Sequence, residues 1–214
     1  MPEWKVDVNV VAAELDIPNF RKLVQQFLQD QIFPDISLLN SYDELLPEFN
    51  GKVSIHLSAI AAFYAPSDIS GVGDMHRKWI QASPSWRNGP PRYDYVFLNT
   101  DRTAEGMHSL DVACILLFLS FEYDSTMYPC VLVHWLLHVG DGPDEDTGMW
   151  VVQPDLDADG SSIINLDCIV HAHLIPVYGD EFIPRELSLH HSLDAFLLHY
   201  VNKFIDHHAF QIAS

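Results

Sequence analysis

Two long apolar runs separated by a short polar break place the strongest constraint on how this chain folds. The runs cover residues 112–123 and 128–139, and Asp124, Ser125 and Thr126 lie between them. Both runs are rich in Val, Ile, Phe and Tyr, which favour strands. Three polar residues between two such runs are typical of a β-hairpin. A pair of helices is the alternative interpretation, but we expect a hairpin.

Shorter strand patterns lie on both sides of this hairpin. Runs of β-branched and aromatic residues bounded by turn residues indicate strands. They occur at residues 52–64, 93–98, 148–153, 162–170 and 174–178. The first run is long enough for one strand or for two strands with a bend. Residues 65–91 contain seven Pro or Gly residues, so we expect a mostly irregular segment with a short helix near residues 75–82.

Two segments repeat apolar residues at the spacing of a helix face. The first is residues 20–32, and Pro34 is expected to end it. The second is residues 193–205, where Ser192 is placed to cap the first turn. Its apolar positions form one stripe: Leu193, Phe196, Leu197, Tyr200, Val201, Phe204 and Ile205. The sequence therefore predicts a helix near each end of the chain.

These elements together predict an α+β fold that is mainly β. We expect a curled antiparallel sheet, or a partly open barrel of the SH3 or bromo-adjacent-homology kind, with the N- and C-terminal helices packed on it. Residues 1–51 would hold the N-terminal helix and a linker. Residues 52–214 would form the β-rich domain that the C-terminal helix closes. We expect both parts to unfold as one cooperative unit.

The charge of the chain excludes some classes of partner. Apolar residues make up 48% and charged residues 19% of the 214 residues, which is typical of a folded chain rather than a disordered one. The net charge is −19, and residues 103–214 alone carry two basic and seventeen acidic side chains. This balance disfavours binding to nucleic acid through phosphates and binding to an anionic membrane. A protein partner is expected instead.

Localisation follows from what the sequence lacks. The N-terminal residues do not have the charged-then-apolar plan of a signal peptide, and no apolar run reaches the roughly 20 residues of a membrane span. Three cysteines, Cys114, Cys130 and Cys168, form no CxxC pair and each lies in an apolar run, so we expect buried free thiols. These features predict an intracellular protein, in the nucleus or the cytoplasm.

A local basic cluster contrasts with the acidic background. It contains five of the eleven basic residues within 26 positions: Arg77, Lys78, Arg87, Arg92 and Arg102. A solvated segment that offsets the acidic half is the simpler interpretation. A local patch can nevertheless act against an opposite net charge. Arg77, Lys78, Arg87 and Arg92 are therefore candidate contacts to nucleic acid or to a protein partner.

Metal-binding patterns are present only in part. Asp155, Asp157, Asp159 and Gly160 match the first half of an EF-hand loop, but its twelfth position, which needs a bidentate Glu, is Leu166. We therefore expect an exposed hairpin turn there and no calcium site. His134 and His138 would lie roughly 13 Å apart on a strand, too far to share a metal.

His171 and His173 are the better histidine pair, because residues i and i+2 of a strand share a face. A metal site there would still need a third ligand. We find no nucleophile elbow, Walker loop or dinucleotide-binding motif in the sequence. The sequence therefore predicts no catalytic residue, no cofactor and no metal, with a metal-dependent enzyme using His171 and His173 as an alternative.

Several longer runs resemble one family. They are residues 63–71 (FYAPSDISG), 92–101 (RYDYVFLNTD), 130–135 (CVLVHW), 140–154 (GDGPDEDTGMWVVQP), 173–179 (HLIPVYG) and 192–208 (SLDAFLLHYVNKFIDHH). They look like the C-terminal region of the large proteins encoded by Plavaka-group transposons of mushroom-forming fungi. The resemblance covers nearly the whole chain from about residue 17. It implies a detached or truncated C-terminal module, since the family's nuclease core lies upstream of this region.

Three interpretations of function remain open. The first is a non-enzymatic interaction module, derived from a transposon protein, that binds protein or chromatin partners. The second is a DNA-contacting accessory domain that uses the basic residues from Arg77 to Arg102. The third is the metal-dependent enzyme. The resemblance and the absence of a catalytic motif favour the first.

Overall fold

The computed structural model describes residues 5–33, 46–64, 74–85, 89–100, 106–157, 160–178 and 195–213. Three helices are present in these ranges: α1 (Val8–Glu14), α2 (Phe20–Ile32) and α3 (His207–Ile212). The strands are β1 (Lys5–Asp7), β2 (Lys52–His56), β3 (Ser58–Tyr64), β4 (Met75–Ser83), β5 (Arg92–Tyr93), β6 (Tyr95–Asn99), β7 (Leu110–Tyr123), β8 (Thr126–His138), β9 (Val151–Pro154), β10 (Ser161–Asn165), β11 (Ile169–Ala172), β12 (Leu174–Pro176) and β13 (His199–Val201).

The β7–β8 hairpin is the centre of the molecule, as the two apolar runs predict. Its strands have 14 and 13 residues and pair antiparallel up to Tyr123 opposite Thr126. Asp124 and Ser125 form the two-residue turn with φ of 47° and 63°. Positive φ at both central positions is the geometry that matches the right-handed twist of the strands. The prediction of a hairpin is confirmed, and the helical alternative is wrong.

The sheet branches on both sides of this hairpin. Along β7, β2 pairs with residues 118–120, and β6 pairs with residues 110–114. Along β8, β10 pairs with residues 130–134, and β9 pairs with residues 136–138. The outer strands add β1 beside β2, β11 beside β6, and β13 and then β12 beside β9. The result is the curled antiparallel sheet of the predicted α+β, mainly β fold, and within the described residues it stays open rather than closing into a barrel.

The N-terminal helices cover one face of the sheet. In α2, the apolar residues at helical spacing are buried, including Phe20, Val24 and Leu28. They share a core with Phe121 of β7 and Leu132 of β8. The helix has the predicted bounds, and its apolar stripe is the reason that it packs here.

The opposite face carries a second, small sheet. This sheet has three strands in the order β3, β4, β5. Ile80 of β4 is fully buried against Ile115 and Val133 of the central hairpin, with Ala59 and Ala61 of β3 beside them. The molecule therefore has three layers: helices, the large sheet and the β3–β4 hairpin.

Two sequence predictions about these outer elements are wrong in detail. Residues 75–82 form part of strand β4, not a short helix. Strands β9 and β10 do not form the predicted hairpin, since both pair with β8 and lie end to end along it. Gly160 is needed there for space, because a Cβ would lie 2.8 Å from the Asp155 carbonyl oxygen.

The predicted C-terminal helix is also wrong in its residues. Within 193–205, residues 199–201 form strand β13 between β9 and β12. The helix of this region is the shorter α3, which begins later and has Asp206 as its N-cap. Ser192, the predicted cap, lies outside the described residues. None of the helices in the described ranges is long and apolar enough to cross a membrane.

Candidate functional site

The β3–β4 hairpin turns an apolar face to solvent. Three cross-strand pairs make up this face, Ile60 with Trp79, Ala62 with Arg77, and Tyr64 with Met75. We call these six residues the outer hairpin face. Trp79 is 60% and Tyr64 62% exposed, and Ile60 and Met75 are about half exposed. Large apolar side chains grouped on one exposed face are uncommon on a monomer and typically mark a binding surface.

The inner face of the same hairpin contacts a cluster of histidines and ion pairs. The Phe63 ring stacks on His208 at 4.2 Å and on His76 at 5.9 Å between ring centroids. Lys78 forms an ion pair with Asp206. That carboxylate also accepts a 2.7 Å hydrogen bond from the amide of Ala209 and so caps α3. The inner face therefore joins the hairpin to the C-terminal segment.

His171 and His173 lie together in this cluster, although His173 follows strand β11 and does not share a strand with His171 as predicted. Nδ1 of His171 and Nε2 of His173 are 3.1 Å apart, so one ring donates a hydrogen bond to the other. On its other side, Nε2 of His171 lies 3.7 Å from a carboxylate oxygen of Asp94. Arg92 donates to the same carboxylate through Nε at 2.9 Å, and so does the Gln81 amide at 2.9 Å. The four side chains form a continuous polar chain.

Burial and neighbouring charges set the protonation states of these hydrogen-bonded side chains. Burial, together with the neighbouring His171 and Lys78, lowers the pKa of His173 to about 4. Burial alone would raise the pKa of Asp94, but hydrogen bonds from His171, Arg92 and Gln81 outweigh it and hold that pKa below its usual range. Near neutral pH His173 is thus neutral and Asp94 ionised, with His171 between them.

This cluster does not assemble a metal centre in the part of the chain that the structure describes. There, no three His, Cys, Asp or Glu side chains converge closely enough to hold an ion. His134 bonds Ser161 and His138 lies beside Trp150, so the two are separate. Asp155 accepts a hydrogen bond from the Asp157 amide, while Asp159 lies outside the described residues.

The candidate basic residues that the structure describes do not share one surface. Arg77 belongs to the outer hairpin face, but its neighbour Lys78 points inward to Asp206. Arg92 is paired with Asp94 and is 44% exposed. Arg87, like Arg102, lies outside the described residues. Of the two on β4, only Arg77 is placed to meet a partner at the outer hairpin face.

A groove runs along the side of the hairpin. It has a volume of about 350 Å³ and lies between β3 and the segment that leads into β11. We call it the edge groove. On one side it is lined by Ala59, Ile60, Ala61, Ala62 and Phe63, and on the other by Leu166, Asp167, Ile169 and Val170. The groove and the outer hairpin face therefore share strand β3.

Comparison with known proteins adds no relative. The chain matches no protein-family model, no curated protein and no solved structure. The resemblance to Plavaka-group transposon proteins therefore stays a prediction.

Sequence reasoning did not find the outer hairpin face. In β4 the exposed residues Met75 and Trp79 and the buried Ile80 are all apolar, so no alternation of polar and apolar residues marks the strand. A usable signal was present in Trp79, a large aromatic residue within the Pro- and Gly-rich segment 65–91, where a core is not expected. Cys168, predicted to be buried, is exposed, whereas Cys130 is buried.

Proposed function

We propose that this protein is a non-enzymatic interaction module that binds a protein partner through the outer hairpin face. The observation that carries the proposal is the exposure of Ile60, Tyr64, Met75 and Trp79 around Arg77 on one side of a hairpin. Trp, Tyr and Arg are the residues most enriched at the energetic centres of protein interfaces. The inner face of the hairpin is anchored to the rest of the molecule, which leaves the outer face available on a fixed support.

The charge of the chain supports a basic partner. A net charge of −19 attracts basic proteins over long range and repels acidic ones. Basic segments of chromatin proteins have the matching charge. The origin that we propose, a module derived from a Plavaka-group transposon protein, rests on the sequence runs given above and predicts no nuclease chemistry in this chain.

The test uses labelled peptides of about ten residues and of graded charge, from strongly basic to strongly acidic. Binding is measured by fluorescence anisotropy for the unchanged protein, for the double variant Tyr64→Ala and Trp79→Ala, and for a control variant, Leu156→Ala. Leu156 is 83% exposed and lies outside the hairpin. We expect basic peptides to bind, the double variant to bind at least tenfold more weakly, and the control to bind like the unchanged protein.

The same assay separates the protein-binding proposal from the DNA-contacting alternative. Aromatic side chains beside an arginine on a sheet face can also stack on the bases of single-stranded DNA. A poly-dT oligonucleotide and a DNA duplex are therefore included over a range of salt concentrations. Tighter binding of the oligonucleotide than of any peptide, with loss in the double variant, would overturn the proposal in favour of the DNA-contacting one.

A further inference from the structure

We propose that the partner binds as an additional β-strand along the free edge of β3, beside the edge groove. The occupant is an extended segment of alternating apolar and basic residues. This inference rests on the proposed function and states how that surface binds its partner. It is carried by three features of β3: its position in the sheet, the direction of its backbone groups, and the groove beside it.

Strand β3 is the last strand of its sheet. In the described residues it pairs with β4 and with no other strand, while β5 lies on the far side of β4. Strand β11, across the groove, likewise pairs only with β6 in this part of the chain. An edge strand presents a row of backbone N–H and C=O groups that can pair with another chain.

The register fixes which backbone groups point to the free edge. The Ala82 amide donates to the Leu57 carbonyl at 2.9 Å. These two residues are the next pair when the register is continued by one residue beyond Ser58 opposite Gln81. Hydrogen-bonded and non-hydrogen-bonded pairs alternate in an antiparallel ladder. Ala59 and Ala61 therefore bond to β4, whereas the N–H and C=O groups of Ile60 and Ala62 point outward.

The groove lies along this edge rather than over one face. Its β3 side consists of five consecutive residues, 59–63. A face of a strand would contribute alternate residues, because successive side chains point to opposite sides. Consecutive lining residues mean that the backbone edge itself borders the groove, which is where an added strand would run.

The far wall of the groove indicates the chemistry of the occupant. Leu166 and Ile169 are apolar and pack against the same core as Ala61, so they suit apolar side chains of the occupant. Asp167 is exposed at the groove and suits a basic side chain. Arg77 on β4 lies about two strand spacings, roughly 10 Å, from the backbone of the added strand, whereas Asp167 lines the groove itself.

The decisive probe is an eight-residue peptide of alternating lysine and valine, with a glutamate–valine peptide as its charge control. Two further versions of the lysine–valine peptide carry N-methyl groups, one at the lysines and one at the valines. The N–H groups of alternate residues point to opposite edges of an extended strand. We therefore expect one N-methylated version to bind at least tenfold more weakly and the other to bind like the parent peptide.

On the protein, Ala62→Pro removes an outward N–H group, and Ala62→Val is the matched control that keeps it. Proline is tolerated on an edge strand when its nitrogen faces away from the ladder. We expect Ala62→Pro to keep the circular dichroism spectrum of the unchanged protein and to lose binding at least tenfold, while Ala62→Val binds normally. If Ala62→Pro does not fold, the two N-methylated peptides alone decide the matter.

The possible failures are distinguishable. If Tyr64→Ala with Trp79→Ala weakens binding but Ala62→Pro and both N-methylated peptides do not, the proposed function stands and strand addition is wrong. If the Tyr64→Ala, Trp79→Ala double variant, the Ala62→Pro variant and both N-methylated peptides all leave binding unchanged, the outer hairpin face is not the site and both proposals fail. Equal binding of the glutamate–valine peptide would overturn the basic character of the occupant.

Discussion

At the scale of single residues, neighbours on β4 have opposite environments because a strand alternates its side chains. Arg77 faces solvent, whereas Lys78 pairs with Asp206 and lies near the Phe63 ring, with its Nζ atom 5.8 Å from the ring centroid. Two basic residues that are adjacent in the sequence therefore do not belong to one basic patch. The ion pair with Asp206 instead links the hairpin to the cap of α3, which makes Lys78 part of the support of the outer hairpin face.

His173 makes the stability of the protein depend on pH. Its pKa in the folded protein is about 4, against about 6.5 in an unfolded chain. Between these values the unfolded chain binds a proton that the folded protein excludes, so the free energy of unfolding falls as the pH falls from about 6.5 to 4. Because the side chain is only half-buried, we expect a loss of roughly 1–2 kcal/mol from this group.

The variant His173→Gln tests this. Glutamine cannot bind the proton, so the free energy of unfolding measured in urea should fall less between pH 6.5 and pH 4 than in the unchanged protein. Part of the fall should remain, since burial also lowers the pKa of His138 and of His208. His56→Gln, on β2 and outside the cluster, is the control. An unchanged pH dependence in His173→Gln would contradict the prediction.

At the scale of elements, residues 193–205 show why periodicity alone misplaced a helix. The apolar residues of this segment satisfy helical spacing, but the structure buries His199 and Val201 and exposes Leu197, Phe204 and Ile205. Alternate burial within β13 is the pattern of a strand. Pairing with β9 and β12 on its two sides satisfies the backbone of β13, and this long-range contact outweighs the local pattern.

A pair of substitutions distinguishes strand β13 from the helix predicted over residues 193–205. Val201 is 1% and Leu197 is 69% exposed, although both belong to the apolar stripe that predicted a helix. Val201→Ala should lower the free energy of unfolding by about 1–3 kcal/mol because it leaves a cavity. Leu197→Ala should change it by less than about 0.5 kcal/mol. Urea unfolding measures both, and similar losses for the two variants would favour the buried helix.

Comparing the predicted elements with the structure shows how much of the fold and of the candidate site the sequence could predict. Helix α2 and the β7–β8 hairpin were predictable because each carries its own signal, a 3.6-residue apolar stripe in one and two long β-branched runs with a turn in the other. Strand β4 was not, because its exposed face is as apolar as its buried face. Of the candidate site, the two-residue separation indicated that His171 and His173 are close, although His173 lies outside strand β11. The outer hairpin face depends on pairing with β3 that no local pattern indicates.

At the scale of the whole molecule, β7 and β8 connect all three layers. Leu132 of β8 belongs to the core beneath α1 and α2, and its neighbour Val133 belongs to the core beneath the β3–β4 hairpin. The side chains of these adjacent residues thus pack against opposite layers. Loss of packing on one face should disturb the strand that supports the other face. This arrangement favours a single unfolding transition over separate unfolding of residues 1–51 and 52–214.

Phe27→Ala tests that expectation. Phe27 is buried and its ring makes edge contacts with Phe121 and Tyr128, at 6.1 and 6.0 Å between centroids. Its truncation should lower the free energy of unfolding by about 3–5 kcal/mol. Trp135 and Trp150 pack in the other two cores, away from α1 and α2. If the molecule is one cooperative unit, their fluorescence transition should shift together with the circular dichroism transition, since coincident transitions are the mark of two-state unfolding.

Phe33→Ala is the matched control, because Phe33 follows α2 and is 45% exposed; it should leave both transitions in place. An independently folding helical segment would behave differently in Phe27→Ala. The circular dichroism signal would then show an early loss of helix, while the fluorescence transition stayed at the urea concentration of the unchanged protein. That result would restrict the cooperative unit to the sheet and the β3–β4 hairpin. The outer hairpin face would then depend for its support on the sheet alone, and Phe27→Ala would leave peptide binding intact.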